Sequence, residues 1–134
     1  MTRPSEDKPS SHPAQETIAR FQDAVKAKGW IVFTAIDHAA AARQAGLELK
    51  PRTVILFGNP KAGTAPMQKA ATLAIDNPPK ALVWEDADGK VWLTYNSAAY
   101  IASQLFPRHG LAMPAEGVAN LEKLLAEVSD QATR

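Results

Sequence analysis

The chain has 134 residues, 46% of them hydrophobic and 22% charged, a balance typical of one ordinary globular domain. Its 15 basic and 14 acidic side chains leave a net charge of +1, which excludes the strong positive field that nucleic-acid-binding proteins use. The absence of cysteine excludes disulfides, thiolate metal sites and thiol catalysis. The balanced charge therefore argues against nucleic acid as a partner. No run of about 18 apolar residues is present, so a membrane is not expected as a partner either.

The first predicted segment is a flexible tail over residues 1–13. It contains three prolines and three serines, and no aliphatic residue beyond Met1. Such a composition cannot repay the entropy lost on ordering, so His12 within it is expected to be solvated. The tail has no apolar stretch typical of a signal peptide, which leads us to expect a cytoplasmic protein. Residues 14–134 are predicted to form a single α+β domain.

Two helices flanking a strand are predicted next. Residues 14–28 repeat their apolar positions on one helical face. Residues 30–36 are apolar on both alternating faces, which predicts a strand that is covered on both sides or buried at a subunit contact. Asp37 stands where an N-cap is expected, so a short helix should follow and end at Gly46.

The next elements surround the sequence GNPKAGT at residues 58–64. A strand is predicted before it, over residues 53–57, and a short helix after it, over residues 66–71, with Thr64 as its cap. The prolines of DNPP, residues 76–79, predict irregular backbone because proline lacks an N–H group and restricts the residue before it.

The second half contains the clearest predicted feature, a β-hairpin. Its strands are ALVWE and VWLTY, joined by the turn sequence DADGK. A helix should begin near Asn96 or Ser97 and stop at Pro107, and a last helix should begin at Pro114. This order favours an α+β fold, with a mixed or antiparallel sheet of about four strands and helices packed against it.

The sequence GNPKAGT raises the question of a phosphate-binding loop. Gly63 occupies the place where the Walker pattern has lysine, and Pro60 removes one backbone donor. One alternative is a strand-to-helix connection in which the glycines provide positive φ and Asn59 forms a side-chain turn. The other is a loop that lines a small-molecule cleft near a helix N-terminus.

A second candidate for chemistry is the pair Asp37 and His38. A carboxylate beside an imidazole can supply acid and base, although adjacent residues rarely pair with each other. The alternative is that Asp37 caps the helix and His38 is a half-buried residue of its first turn. The three histidines lack metal-ligand spacing, so neither a metal site nor a cofactor is predicted.

Three longer segments carry a family resemblance. AIDHAAAARQAGLEL, LFGNPKAGTAPMQ and LAIDNPPKALVWEDADGKVWLTYN resemble the domain of unknown function 302 family. The resemblance implies a small α/β domain that forms a homodimer and has no established catalytic activity. One departure is DNPP, which places polar Asn77 where the family usually has an apolar residue.

The same resemblance implies a set of site residues. The positions that match the family motifs come from separate segments, and we expect them to converge on one cleft. They are Asp37, His38, Gly58, Asn59, Pro60, Gly63, Thr64, Met67 and Asp76.

Three functions stay open on this basis. The first is a homodimeric binding or sensory module that holds a small molecule, an anion among the candidates, near GNPKAGT and His38. The second is an enzyme in which His38 acts as acid or base and loop amides stabilise negative charge. The third is a dimerisation domain that uses the apolar strand and the last helix as its interface.

Overall fold

The structure is a computed structural model that describes residues 3–134. Its centre is one antiparallel sheet whose strands are β1 (Ser5–Pro9), β2 (Ile31–Asp37), β3 (Arg52–Gly58), β4 (Lys80–Glu85) and β5 (Val91–Asn96). The strand order across the sheet is β1-β5-β4-β3-β2. The α+β class and the β4–β5 hairpin are confirmed, with five strands in place of about four.

Within the described residues, three helices lie between successive strands from β1 to β4, and three more follow β5. They are α1 (Ala14–Ala27), α2 (His38–Gln44), α3 (Pro60–Lys69), α4 (Ala98–Tyr100), α5 (Phe106–Arg108) and α6 (Ala115–Thr133). A 3₁₀ turn, Ala71–Ile75, precedes β4, and a π-helical turn, Ile101–Leu105, joins α4 to α5. Every helix within residues 3–134 is too short or too polar to cross a bilayer.

Strand β1 corrects the prediction of a flexible N-terminal tail. Residues 5–9 pair with β5 in antiparallel register, from Ser5 opposite Asn96 to Pro9 opposite Trp92. The prediction was wrong here because an edge strand gains order from backbone hydrogen bonds, which require no aliphatic side chains. Met1 and Thr2 lie outside the described residues.

The segment after β1 is also held against the folded chain. The backbone N–H of Ser11 donates to the carbonyl of Thr133 at 2.8 Å. The His12 Nε2 atom lies 2.5 Å from the carbonyl oxygen of Arg134, so His12 is not the solvated side chain that was expected. The expected boundary at residue 14 therefore lies too far along the chain.

The main core lies between one face of the sheet and helices α1 and α6. Alternate residues of the central strands point into it, as strand geometry requires, and Ile55, Phe57, Val83 and Leu93 are almost fully buried. Phe21 of α1 meets Phe57 edge to face, with ring centroids 5.1 Å apart. The predicted amphipathic first helix is thereby confirmed.

The opposite face of the sheet remains partly exposed. Its apolar side chains come from β3, β4 and β5 and are Val54, Leu56, Leu82, Trp84 and Trp92. The two indole rings stack, with centroids 6.2 Å apart. We call these five residues the uncovered face.

Strand β2 lies at the sheet edge and is more exposed than its sequence predicted. Ile31, Phe33 and Ile36 are 44–52% exposed. Within this chain the expectation of a strand covered on both sides is wrong, because these three side chains remain in contact with solvent. The alternative expectation, burial at a subunit contact, stays a prediction.

Helix starts follow their capping residues. The Asp37 carboxylate accepts from the Ala40 N–H at 2.9 Å, which confirms the predicted cap. The Ser97 hydroxyl accepts from the Tyr100 N–H at 3.0 Å, at the predicted helix start. The helical run that begins at Ala98 ends at Arg108, one residue after Pro107, in agreement with the predicted stop.

Tyr95 on β5 provides a test of this packing by pH. Burial, assisted by the charges of Glu6 and Asp130, raises the pKa of its phenol from 10.0 to about 12. The folded state therefore keeps a proton that the unfolded state loses, so this contribution to stability is complete below pH 10 and is lost as the pH rises from about 10 to about 12.

The measurement is the difference in tyrosinate absorbance between wild type and Tyr95→Phe during alkaline titration. We expect the difference signal to have its midpoint near pH 12. A midpoint near the ordinary value, while the protein remains folded by circular dichroism, would contradict the buried environment described for this phenol.

Candidate functional site

The sequence GNPKAGT forms the start of helix α3. Gly58 ends β3, the Asn59 side chain accepts from the Lys61 N–H at 3.1 Å, and Pro60 is the first helical residue. The helix predicted to begin at residue 66 therefore begins six residues earlier, because asparagine and proline form a strong helix start. Thr64 is not a cap, since its hydroxyl donates to the Pro60 carbonyl at 2.6 Å.

The backbone amides of this segment do not form an anion cradle. The N–H groups of Ala62 and Gly63 both donate to the Asn59 carbonyl, at 3.0 and 2.9 Å, and proline has no N–H group. Neither Gly58 nor Gly63 has positive φ, which corrects that expectation. Since its amides already have acceptors, GNPKAGT lacks the open donors of a phosphate-binding loop.

A cavity of about 320 Å³ lies where β3 ends and β4 begins. Its walls come from α3, the 3₁₀ turn, the π-helical turn and α6, and they are largely apolar. Six of the wall residues are Trp30, Phe33, Met67, Leu73, Phe106 and Leu125. A cavity of this size and lining is typical of sites for small apolar molecules.

The structure divides the expected site residues between two ends of the sheet. The residues that border the cavity are Gly58, Asn59, Pro60, Gly63, Met67 and Asp76. Thr64 is exposed and does not border it. The expected convergence on one cleft is therefore not found for every member of the set.

Asp37 and His38 lie away from this cavity. Asp37 pairs with Thr53, five residues before Gly58, which corresponds to a separation of about 17 Å along an extended strand. Asp37 borders a separate small pocket of about 100 Å³. His38 is exposed at the start of α2, in contrast to the half-buried position that was considered, and its imidazole makes no hydrogen bond to any of residues 3–134.

A hydrogen-bonded cluster that the sequence did not predict surrounds Asp76. Its Oδ2 atom lies 2.5 Å from His109 Nε2, and the other ring nitrogen, Nδ1, lies 2.8 Å from the Thr72 hydroxyl. If the ring is neutral, Nε2–H donates to the carboxylate and Nδ1 accepts from the hydroxyl. Arg108 Nε lies 3.7 Å from the same carboxylate oxygen.

This cluster joins two walls of the cavity. The His109 side chain is 5% exposed and follows α5, whereas Asp76 follows the 3₁₀ turn. The two residues are separated by 33 positions, so no local spacing could have identified the pair. Within the part of the chain that the structure describes, no group of three or more histidine or acidic side chains is arranged to hold a metal ion.

Comparison with known proteins identifies a family. The model described as "Domain of unknown function DUF302" matches residues 6–128. In a solved structure of a DUF302 protein from Bacillus stearothermophilus, the fold matches with a TM-score of 0.80 over 98% of this chain and 99% of that chain. The two sequences are 19% identical, so this second comparison supports the fold alone.

Curated relatives come from Brucella. Proteins named "Fluoride-specific ion channel FluC 1" from Brucella suis biovar 1 (strain 1330) and Brucella abortus biovar 1 (strain 9-941) are each 46% identical over 107 residues. The match spans 80% of this chain but only 41% and 38% of those two proteins. The chain thus corresponds to about two fifths of their length.

Proposed function

This chain belongs to the DUF302 family, and from that premise we propose that it is a homodimeric module that binds a small, largely apolar molecule without turning it over. The cavity bordered by the start of α3 is the observation that carries the proposal. A partly open cleft of about 320 Å³ with largely apolar walls leaves apolar surface in contact with water unless a ligand occupies it, and that exposure is unfavourable.

The lining favours an apolar molecule over a small anion. The helix start supplies no free amide over residues 60–63, and the wall contains mainly aliphatic and aromatic side chains. Transfer of an anion into such a wall without hydrogen bonds is strongly unfavourable. The fluoride in the names of the Brucella relatives is therefore not proposed as the ligand of this cavity.

The enzymatic alternative loses its support at His38. Acid or base catalysis requires a side chain within about 3 Å of the reacting group, or one water away. His38 is exposed on α2 and does not border the cavity. A binding module requires only the cavity and a ligand that fits it.

A thermal-shift titration with naphthalene and 1-decanol tests this proposal. We expect either probe to raise the melting temperature by several degrees, because a ligand at about 100 times its Kd adds about 2.7 kcal/mol. Sodium fluoride should shift the melting temperature no more than sodium chloride does.

Two variants on α3 locate the binding site. Gly63 borders the cavity and has open space around an added Cβ atom, so Gly63→Leu should occupy the ligand space without straining the fold. Gln68→Leu is the matched control, because Gln68 is exposed on the same helix and does not border the cavity. Equal shifts for wild type and Gly63→Leu would refute binding in this cavity.

We propose that a second copy of the chain covers the apolar surface formed by the uncovered face and β2. Natural edge strands are protected by charges or prolines, but residues 31–36 contain neither. An exposed apolar surface that continues from the edge strand across the sheet is typical of a protein–protein contact. The homodimer implied by the family resemblance would bury it.

Light scattering after size exclusion tests the dimer. Wild type at about 50 μM should have twice the mass of one chain, because an apolar contact of standard size gives stable association. Leu82→Lys, at the centre of the uncovered face, should be monomeric. The control is Lys123→Leu on α6, which also exchanges lysine and leucine but lies on an exposed helical surface. A monomeric wild type, or a dimeric Leu82→Lys, would contradict this interface.

A further inference from the structure

Of the charged residues that border the cavity, only one has an ionic or hydrogen-bonding partner for its side chain within the described residues. Two charged residues border it, Asp76 and Lys80. The Asp76 carboxylate already bonds to His109 and lies near Arg108. Within residues 3–134, no carboxylate pairs with the Lys80 ammonium, and no hydrogen bond holds it. The cavity therefore has one cation without a counter-charge.

Lys80 borders the cavity from one end of the sheet. It is the first residue of β4, directly after Pro79, which also borders the cavity. The next residue, Ala81, is buried in the core and pairs with Tyr95. Strand alternation therefore places the Lys80 side chain on the same side of β4 as Leu82, at the end of the strand that borders the cavity.

A second polar side chain lies beside Lys80. Asn96 ends β5 and borders the same cavity. Because Ala81 pairs with Tyr95 in an antiparallel ladder, Lys80 and Asn96 lie at the same end of the two strands. Neither the ammonium nor the amide has a hydrogen-bond partner within the described residues. An ammonium and an amide N–H₂ together match the two oxygens of a carboxylate.

We infer that the ligand is an amphiphilic carboxylic acid, with its apolar body in the cavity and its carboxylate on Lys80 and Asn96. This inference rests on the proposed binding function and names the ligand class for the same cavity. The volume of about 320 Å³ is about twice that of a cavity that holds benzene, so the apolar body and head group together contain about a dozen non-hydrogen atoms.

Decanoate and 1-decanol form the test pair, because they share one chain length and differ in the charge of the head group. Isothermal titration calorimetry on the full chain should give a Kd for decanoate about tenfold lower than for 1-decanol, since a charge-assisted hydrogen bond contributes about that factor. Lys80→Met should remove this preference and leave the Kd for 1-decanol within about twofold. The preference should also decrease at high salt.

Lys69→Met is the control, because Lys69 lies on α3 and does not border the cavity. It should keep the preference for decanoate. Equal affinities of wild type for the two probes, or an unchanged preference in Lys80→Met, would overturn the carboxylate inference while leaving apolar binding intact. If neither decanoate nor 1-decanol binds, the proposed function and this inference are both overturned.

Discussion

Replacing Phe57 with alanine is expected to lower the free energy of unfolding by about 3–5 kcal/mol, because a large aromatic side chain is lost from a packed core. Phe57 is fully buried on β3 and contacts Phe21 edge to face. Its ring also lies 6.1 Å from that of Trp30, measured between centroids. The neighbouring side chains cannot easily move to fill the space, because Phe21 is held on α1 and Trp30 is a bulky aromatic residue.

Urea unfolding followed by tryptophan fluorescence measures this loss. Phe57→Leu, which keeps most of the apolar volume, should lose less than the alanine variant. Ile75→Ala is the control, because Ile75 is 74% exposed and its truncation should change the free energy of unfolding by no more than about 0.5 kcal/mol. Similar losses for Phe57→Ala and Ile75→Ala would contradict the assigned core.

Removal of residues 1–9 is expected to destabilise the chain by at least about 3 kcal/mol, because each backbone hydrogen bond contributes about 0.5–1.5 kcal/mol net. The deletion removes all of β1 and exposes the backbone edge of β5. It also removes the contact of Lys8 Nζ with Asp130 Oδ1 at 2.6 Å, although a partly exposed ion pair adds little. The new open edge should promote aggregation.

The control deletion removes residues 1–3 and keeps β1. It loses the hydrogen bond from the Ser97 hydroxyl to the Arg3 carbonyl, at 2.8 Å, so a small effect is expected. Thermal melting of the two deletions beside wild type makes the comparison. Identical melting temperatures for all three chains would support the predicted flexible tail and refute β1 as part of the sheet.

Several features that depend on neighbouring residues were correctly predicted, but not all of them. The β4–β5 hairpin follows from two short apolar runs around a turn sequence, in which Asp86 accepts from the backbone of Asp88 and Lys90 at 2.9 Å. Asp37 was predicted as an N-cap because capping requires contact over only three residues. The start of α3 was missed, since the glycines of GNPKAGT indicated a loop although Asn59 and Pro60 begin a helix there.

The site was predicted in part, because several of its residues are close to each other in the chain. Gly58, Asn59, Gly63 and Met67 lie within ten residues of each other, so the turn from β3 into α3 brings them to one cavity. Residues from distant segments could not be positioned in this way. His109 reaches Asp76 only because α5 packs beside the 3₁₀ turn, and no residue spacing records that contact.

By itself, the sequence determined the class of the fold, the hairpin, the amphipathic first helix and the Asp37 cap, since each depends on propensities or contacts between residues near in the chain. Only the tertiary structure decided that residues 5–9 complete the sheet, that one sheet face and β2 remain exposed, and that Lys80 and Asn96 border one apolar cavity. These features depend on strand order and on packing between distant segments, where backbone hydrogen bonds and buried area outweigh local composition.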